Sequence, residues 1–109
     1  MLKPREIAVV GAAETTGLGK IPGMSNIQLH ADSALNALKD CGLKISDIDG
    51  IACAGESPTN LAHYLGIVPK YVDGTGVGGC SFMIHVRHAA AAISAGLCTT
   101  VLITHGESG

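Results

Sequence analysis

Short apolar runs alternate along this 109-residue chain with one-sided helical stripes, and glycine stands at most of the junctions. Ile7-Ala8-Val9-Val10-Gly11 reads as a buried parallel strand. A loop from Glu14 to Asn26, holding Pro22 and several glycines, leads to a helix over roughly Ile27 to Asp40. Leu29, Ala31, Ala34, Leu35, Ala37 and Leu38 form its apolar stripe, and Cys41-Gly42 closes it. After a turn at Ser46 or Asp47, Asp49 to Ala54 reads as a second strand, and Pro58 to Leu65 as a short helix ended by Gly66. Tyr71-Val72-Asp73 is a brief extended piece. A helix follows Cys80 and runs to about Ala95, with Gly96 as its stop. Thr99 to Thr104 is β-branched and apolar, the clearest strand of all. The order β-α-β-α-β-α-β predicts an α/β fold, a mostly parallel sheet flanked by helices.

Composition agrees with burial on both faces of such a sheet. Hydrophobic residues make up 47% of the chain and charged ones only 15%, against a usual quarter. With one Phe, two Tyr and no Trp, the core must rest on Ala, Val, Ile and Leu. Three short helices cover at most part of a four-stranded sheet, so the chain is expected to be a piece of a larger protein. A net charge of −2 leaves no basic footprint for nucleic acid. The longest apolar stretch is far short of a membrane span, and no signal-peptide core precedes the first strand. Cys41, Cys53, Cys80 and Cys98 show no C-x-x-C pair, so reduced thiols in the cytoplasm are the expectation.

Cys80 is set apart by its position. Gly74-Thr75-Gly76-Val77-Gly78-Gly79 runs into it and a helix leaves from it. A thiol at a helix start faces unpaired N–H groups and the positive end of the helix dipole, and both favour the nucleophilic thiolate. The bland alternative is a small buried hydrophobe, the role expected of Cys41, Cys53 and Cys98. Gly74-x-Gly76-x-x-Gly79 matches a dinucleotide fingerprint in letters only. It does not occupy the first βα turn, and nothing acidic follows until Glu107. Gly19-Lys20 is no phosphate loop, since Glu14 stands where its first glycine belongs. His85 and His88 share a helix face, but no second ligand pair has metal-like spacing, so no metal is expected. One of the two is expected in the interior and the other at a surface or subunit contact.

Gly78-Gly79-Cys80-Ser81, then Ala95-Gly96-Leu97, then Val101 to Ser108 ending in Gly106-Glu107-Ser108, resembles the first half of the thiolase superfamily. Ile7 to Ala12 and Asp47-Ile48-Asp49-Gly50-Ile51 are similar to the start of the same domain. The sterol-carrier-protein thiolase-like, or lipid-transfer, branch is the nearest in pattern, and the resemblance covers essentially the whole chain. It implies that residues 1–109 are a partial N-terminal domain of a five-layered α/β fold built from two similar halves and usually dimeric. The implied chemistry is acyl transfer from coenzyme A thioesters, making or breaking a carbon–carbon bond beside a carbonyl. Coenzyme A thioester enters as substrate, with no covalently bound cofactor and no cofactor-binding residue identified. Cys80 would take the acyl group, with Gly79, Ser81, His85 and His88 lining the site. A complementary C-terminal half or subunit, or a second copy, would complete it, and the chain alone would be inactive. Ser81-Phe82-Met83 departs from the small residues thiolases place after the cysteine, and Gly78 stands where many have asparagine. Some thiolase-like relatives no longer use this cysteine, and a few act instead as aldol-cleaving lyases on steroid side chains. An aldol-type lyase subunit, and a non-catalytic module docking on a partner, therefore stay open as alternatives.

Overall fold

A computed structural model describes residues 7–15, 25–77 and 80–105. The expected glycine turn residues Gly78 and Gly79, the Gly106-Glu107-Ser108 ending and most of the Glu14–Asn26 loop lie outside the described residues. Three parallel strands form one sheet: β1 (Gly50–Ala54), β2 (Tyr71–Asp73) and β3 (Val101–His105), in the order β2-β1-β3. Gly50 pairs with Tyr71 on one side and Val101 on the other, and the β1–β3 ladder continues to Ala54 opposite His105. The mixed α/β class and the parallel sheet follow the expectation from the sequence.

Helix α1 (Asn26–Cys41) starts in a reciprocal cap. Ser25 Oγ accepts from the Gln28 N–H, and Gln28 Oε1 accepts from the Ser25 N–H at 2.7 Å. It ends at Gly42, whose φ of 74° only glycine adopts without strain. Helix α2 (Pro58–Leu65) takes Ser57 as its cap and Pro58 in its first turn, where no intrahelical N–H is needed. Helix α3 (Ser81–Ser94) starts at Cys80 without a side-chain cap.

Because side chains alternate along a strand, β1 sends Ile51 and Cys53 to one face and Gly50, Ala52 and Ala54 to the other. Ile51, Cys53 and Leu102 pack with Ala31, Ala34, Leu38, Leu61, Ala62 and Ile67 of the α1–α2 side. Helix α3 covers the other face, burying Ser81, His85, Ala89 and Ala92. Close approach is built into this face. A Cβ on Gly50 would come within 2.9 Å of Val101 Cγ2 and 3.2 Å of the Tyr71 ring.

The Asp49 carboxylate locks the entry to β1 against the entry to β3. It accepts from the N–H of Thr99 and of Thr100, the latter at 2.8 Å, and from the Thr99 hydroxyl. Burial pushes its pKa up, but the Thr100 and Thr99 donors and the Lys70 charge outweigh burial and hold it below the usual carboxylate value.

One expectation fails. Ile7–Gly11 is not a strand, and the sheet has three strands among the described residues instead of four. The chain lies against α1 from Gly11 on, and the residues just after the segment are tied to that helix: the Ala12 N–H donates to Asp40, and Asn36 donates to the Glu14 carbonyl. Gly11 is seated where a Cβ would meet the Ala37 carbonyl at 2.7 Å, while Val9 and Val10 are exposed. Among the described residues no helix is long and apolar enough to cross a membrane.

Candidate functional site at the start of α3

Cys80 is exposed at the N-cap of α3, its Sγ 3.8 Å from the Val77 carbonyl. Cys53 and Cys98 are buried. Burial raises the Cys53 thiol to about 11, with the Glu56 charge adding to the rise and a Thr104 hydrogen bond opposing it. Burial and the Asp49 charge also raise Cys98. Both are therefore held protonated at neutral pH, and Cys41 is half-buried against its own helix.

Ser81 is fully buried, and its Oγ accepts from the Val77 N–H at 2.9 Å. His85, one turn on, is also fully buried. Its Nε2–H donates to the Thr75 carbonyl at 2.8 Å, and its Nδ1 has no partner among the described residues. His88 stands half-exposed, its Nδ1–H donating to Asp73 Oδ2 at 2.8 Å. The two histidines therefore divide as expected, one interior and one at the surface. Gly79, the remaining expected site residue, is outside the described residues.

Asp73 and Thr75 escaped the sequence reading. Asp73 Oδ1 accepts from the Thr75 N–H at 3.0 Å and from its hydroxyl at 2.7 Å, while the Tyr71 hydroxyl reaches Oδ2. Burial alone would raise the Asp73 carboxyl. The Thr75 donors, the His88 hydrogen bond and the His85 charge pull it down to about 2. Tyr71 is pushed up to about 12, by burial first and then by the Asp73 charge and hydrogen bond. The Asp-x-Thr spacing ahead of the glycines was the available signal, since such side chains commonly bond a backbone N–H two residues on.

Beyond Cys80, α3 turns apolar side chains outward. Phe82, Met83 and Val86 are 46%, 63% and 45% exposed, and the Phe82 ring lies 6.4 Å from that of His105 at the end of β3. A helix apolar on both sides is typical of one covered on both sides. Among the described residues no group of three or more His, Cys, Asp or Glu side chains is placed to hold a metal. A groove of about 560 Å³ between α1 and α2, lined by Ala31, Leu35 and Tyr64 among others, lies on the opposite face of the sheet and includes no residue of the Cys80 turn.

No protein-family model matches the chain. It is 33% identical over 101 residues to a steroid side-chain-cleaving aldolase of Thermomonospora curvata, covering 84% of this chain and 26% of that protein. Among solved structures, the Ltp2-ChsH2(DUF35) aldolase superposes with a TM-score of 0.73 at 30% identity, over 93% of this chain and 29% of that one. A monomeric SCP2-thiolase-like protein type 1 from Mycobacterium smegmatis gives 0.78 at 29%, over 98% and 24%. OleA of Xanthomonas campestris, 18% identical with a TM-score of 0.70 over 80% of this chain and 28% of that one, shares the fold. The chain thus spans about a quarter of the length of the relatives it matches. Its sheet order, the helix that Cys80 opens and these likenesses agree: this chain has a thiolase-like fold and corresponds to one part of a thiolase-like domain.

Proposed function

We propose that the chain supplies the cysteine-bearing part of a thiolase-like enzyme that breaks a carbon–carbon bond beside a thioester carbonyl, by aldol-type cleavage of an acyl-CoA. The 33% identity to the steroid side-chain-cleaving aldolase, over 84% of the chain, carries this reading. In such a cleavage a base takes the proton of the β-hydroxyl and the bond between the α and β carbons breaks. The β carbon leaves as a carbonyl, and the electron pair passes to the thioester oxygen as an enolate until the α carbon is reprotonated. Charge on that oxygen calls for fixed N–H donors. The N–H groups at the start of α3 are of the right kind, apart from that of Met83, which donates to the Cys80 carbonyl. The base comes from a complementary half or partner subunit, and the outward apolar side chains Phe82, Met83 and Val86 support such a partner.

A second reading is acyl transfer, favoured by the exposure of Cys80 in contrast to the buried thiols of Cys53 and Cys98. The Cys80 thiolate would attack the thioester carbonyl, coenzyme A would leave as its thiolate, and the acyl group would remain on Sγ.

One experiment separates the readings. The full assembly is given a β-hydroxyacyl-CoA, and both the released carbonyl compound and any acyl mass on Cys80 are followed. Cleavage retained in Cys80→Ser supports the aldol reading. An acyl adduct lost in Cys80→Ser, together with lost turnover, supports acyl transfer. Neither product nor adduct overturns both and leaves a non-catalytic docking module.

A further inference from the structure

The buried stripe of α3 does two different things along its length. Ala89 and Ala92 let the helix lie close on the sheet. Ser81 and His85, followed by His88, are polar, and each holds one position of the segment that leads into Cys80. Ser81 takes the Val77 N–H, His85 the Thr75 carbonyl and His88 the Asp73 carboxylate, so helix positions 81, 85 and 88 meet chain positions 77, 75 and 73. The spacing has a geometric reason. Three or four helical residues rise about 4.5–6 Å, and two extended residues span about 6.5 Å, so helix and segment stay in step. A slip of one residue would turn the Thr75 carbonyl away from His85.

Packing alone does not account for His85. A fully buried imidazole with one nitrogen unpartnered among the described residues is costly, and an apolar side chain of similar volume would avoid that cost. What His85 supplies and an apolar residue lacks is an N–H on the Thr75 carbonyl.

We propose that Ser81, His85 and His88 are positioning residues that hold residues 73–77 in register on α3, and so set how Cys80 and the first N–H groups of the helix are presented. This deepens the proposed function, since it rests on Cys80 and the start of α3 being the reactive part of the site. Its test does not depend on turnover, because Cys80 serves as a reporter whichever reaction the assembly performs.

The measurement is the rate of iodoacetamide alkylation of Cys80 against pH, with hydrogen exchange at the Thr75 and Val77 amides, in the parent, His85→Phe and His85→Gln. Phenylalanine keeps a ring but removes the donor; glutamine restores an N–H. The expected result is that His85→Phe changes the Cys80 rate by roughly threefold or more, moves its pH profile and speeds exchange at Val77, with His85→Gln returning to the parent. Should His85→Phe fail to fold, Ser81→Ala removes the Val77 acceptor at little cost in volume, and the same two readouts apply. A lowered melting temperature with an unaltered Cys80 profile and unaltered loop exchange would overturn the proposal and leave these residues as stabilising contacts only. Absence of turnover in the parent assembly would overturn the functional reading alone, and the alkylation and exchange data would still decide this one.

Discussion

The two faces of the sheet are built on different principles. On the α1–α2 face, branched side chains interdigitate: Ile51, Leu61, Leu38, Ile67 and Leu102 form one apolar cluster. On the α3 face the buried residues of the helix are two alanines, a serine and a histidine, with no large apolar side chain. Alanines let the helix lie close on the sheet, and the hydrogen bonds of Ser81, His85 and His88 fix what lies at the helix start. Apolar packing is tolerant of small shifts and strong in sum, whereas hydrogen bonds are individually modest but directional. The first face therefore carries stability, and the second carries geometry.

The largest expected effect is on the first face. Leu61 is fully buried, and Leu61→Ala should lower unfolding free energy by about 2–5 kcal/mol in a denaturant titration. A loss below about 1 kcal/mol would break the contrast, because the cluster would then not be the stabilising one. Next comes enlargement on the second face. Ala92, 4% exposed, has little room above the sheet, and Ala92→Leu should cost about 1–3 kcal/mol through overpacking. If the larger side chain instead stabilises, α3 does not sit as close as described.

The smallest effect sharpens the electrostatic side of the contrast. Asp73 is lowered from 3.8 to about 2 in the folded chain. A depressed carboxyl stabilises the fold above its unfolded pKa, and that contribution is lost as pH falls through the folded value. Stability should therefore decline between about pH 4 and about pH 2, and Asp73→Asn should flatten that part of the curve. Identical slopes in parent and variant would remove Asp73 from the account.

Much of this architecture is legible locally. Gly42, Gly66 and Gly96 all take positive φ where the sequence marks a helix end, and the β-branched run before His105 forms the strand expected of it. The failure at Ile7–Gly11 has a physical cause. An apolar run ending in glycine shows that a segment can be extended, but not whether a strand or the side chains of a helix will take its backbone groups. Here the residues that follow it, Ala12 and Glu14, are bonded by Asp40 and Asn36 of α1, and no strand pairs with it among the described residues. The candidate site was legible at Cys80, by the glycines before it and the helix after it. The Asp73–Thr75 contribution was not, because its meaning arises only when positions 73, 75 and 77 lie beside 88, 85 and 81. Likewise the shared face of His85 and His88 was readable, but which of them lies inside depends on the sheet beneath.

The register of the central strand also sets an order of events in time. β1 pairs with β2, about 20 residues later, and with β3, about 50 residues later, and it has no earlier partner among the described residues. As the chain leaves the ribosome, β1 emerges first and stays open on both edges until its neighbours arrive. The Asp49 contacts to Thr99 and Thr100 cannot form before the chain has reached the entry to β3. Pairing across such separations is slow, and an unpaired strand is prone to join another chain in the interval. During synthesis, the segment that becomes the best-buried strand of the sheet is the one most in need of protection.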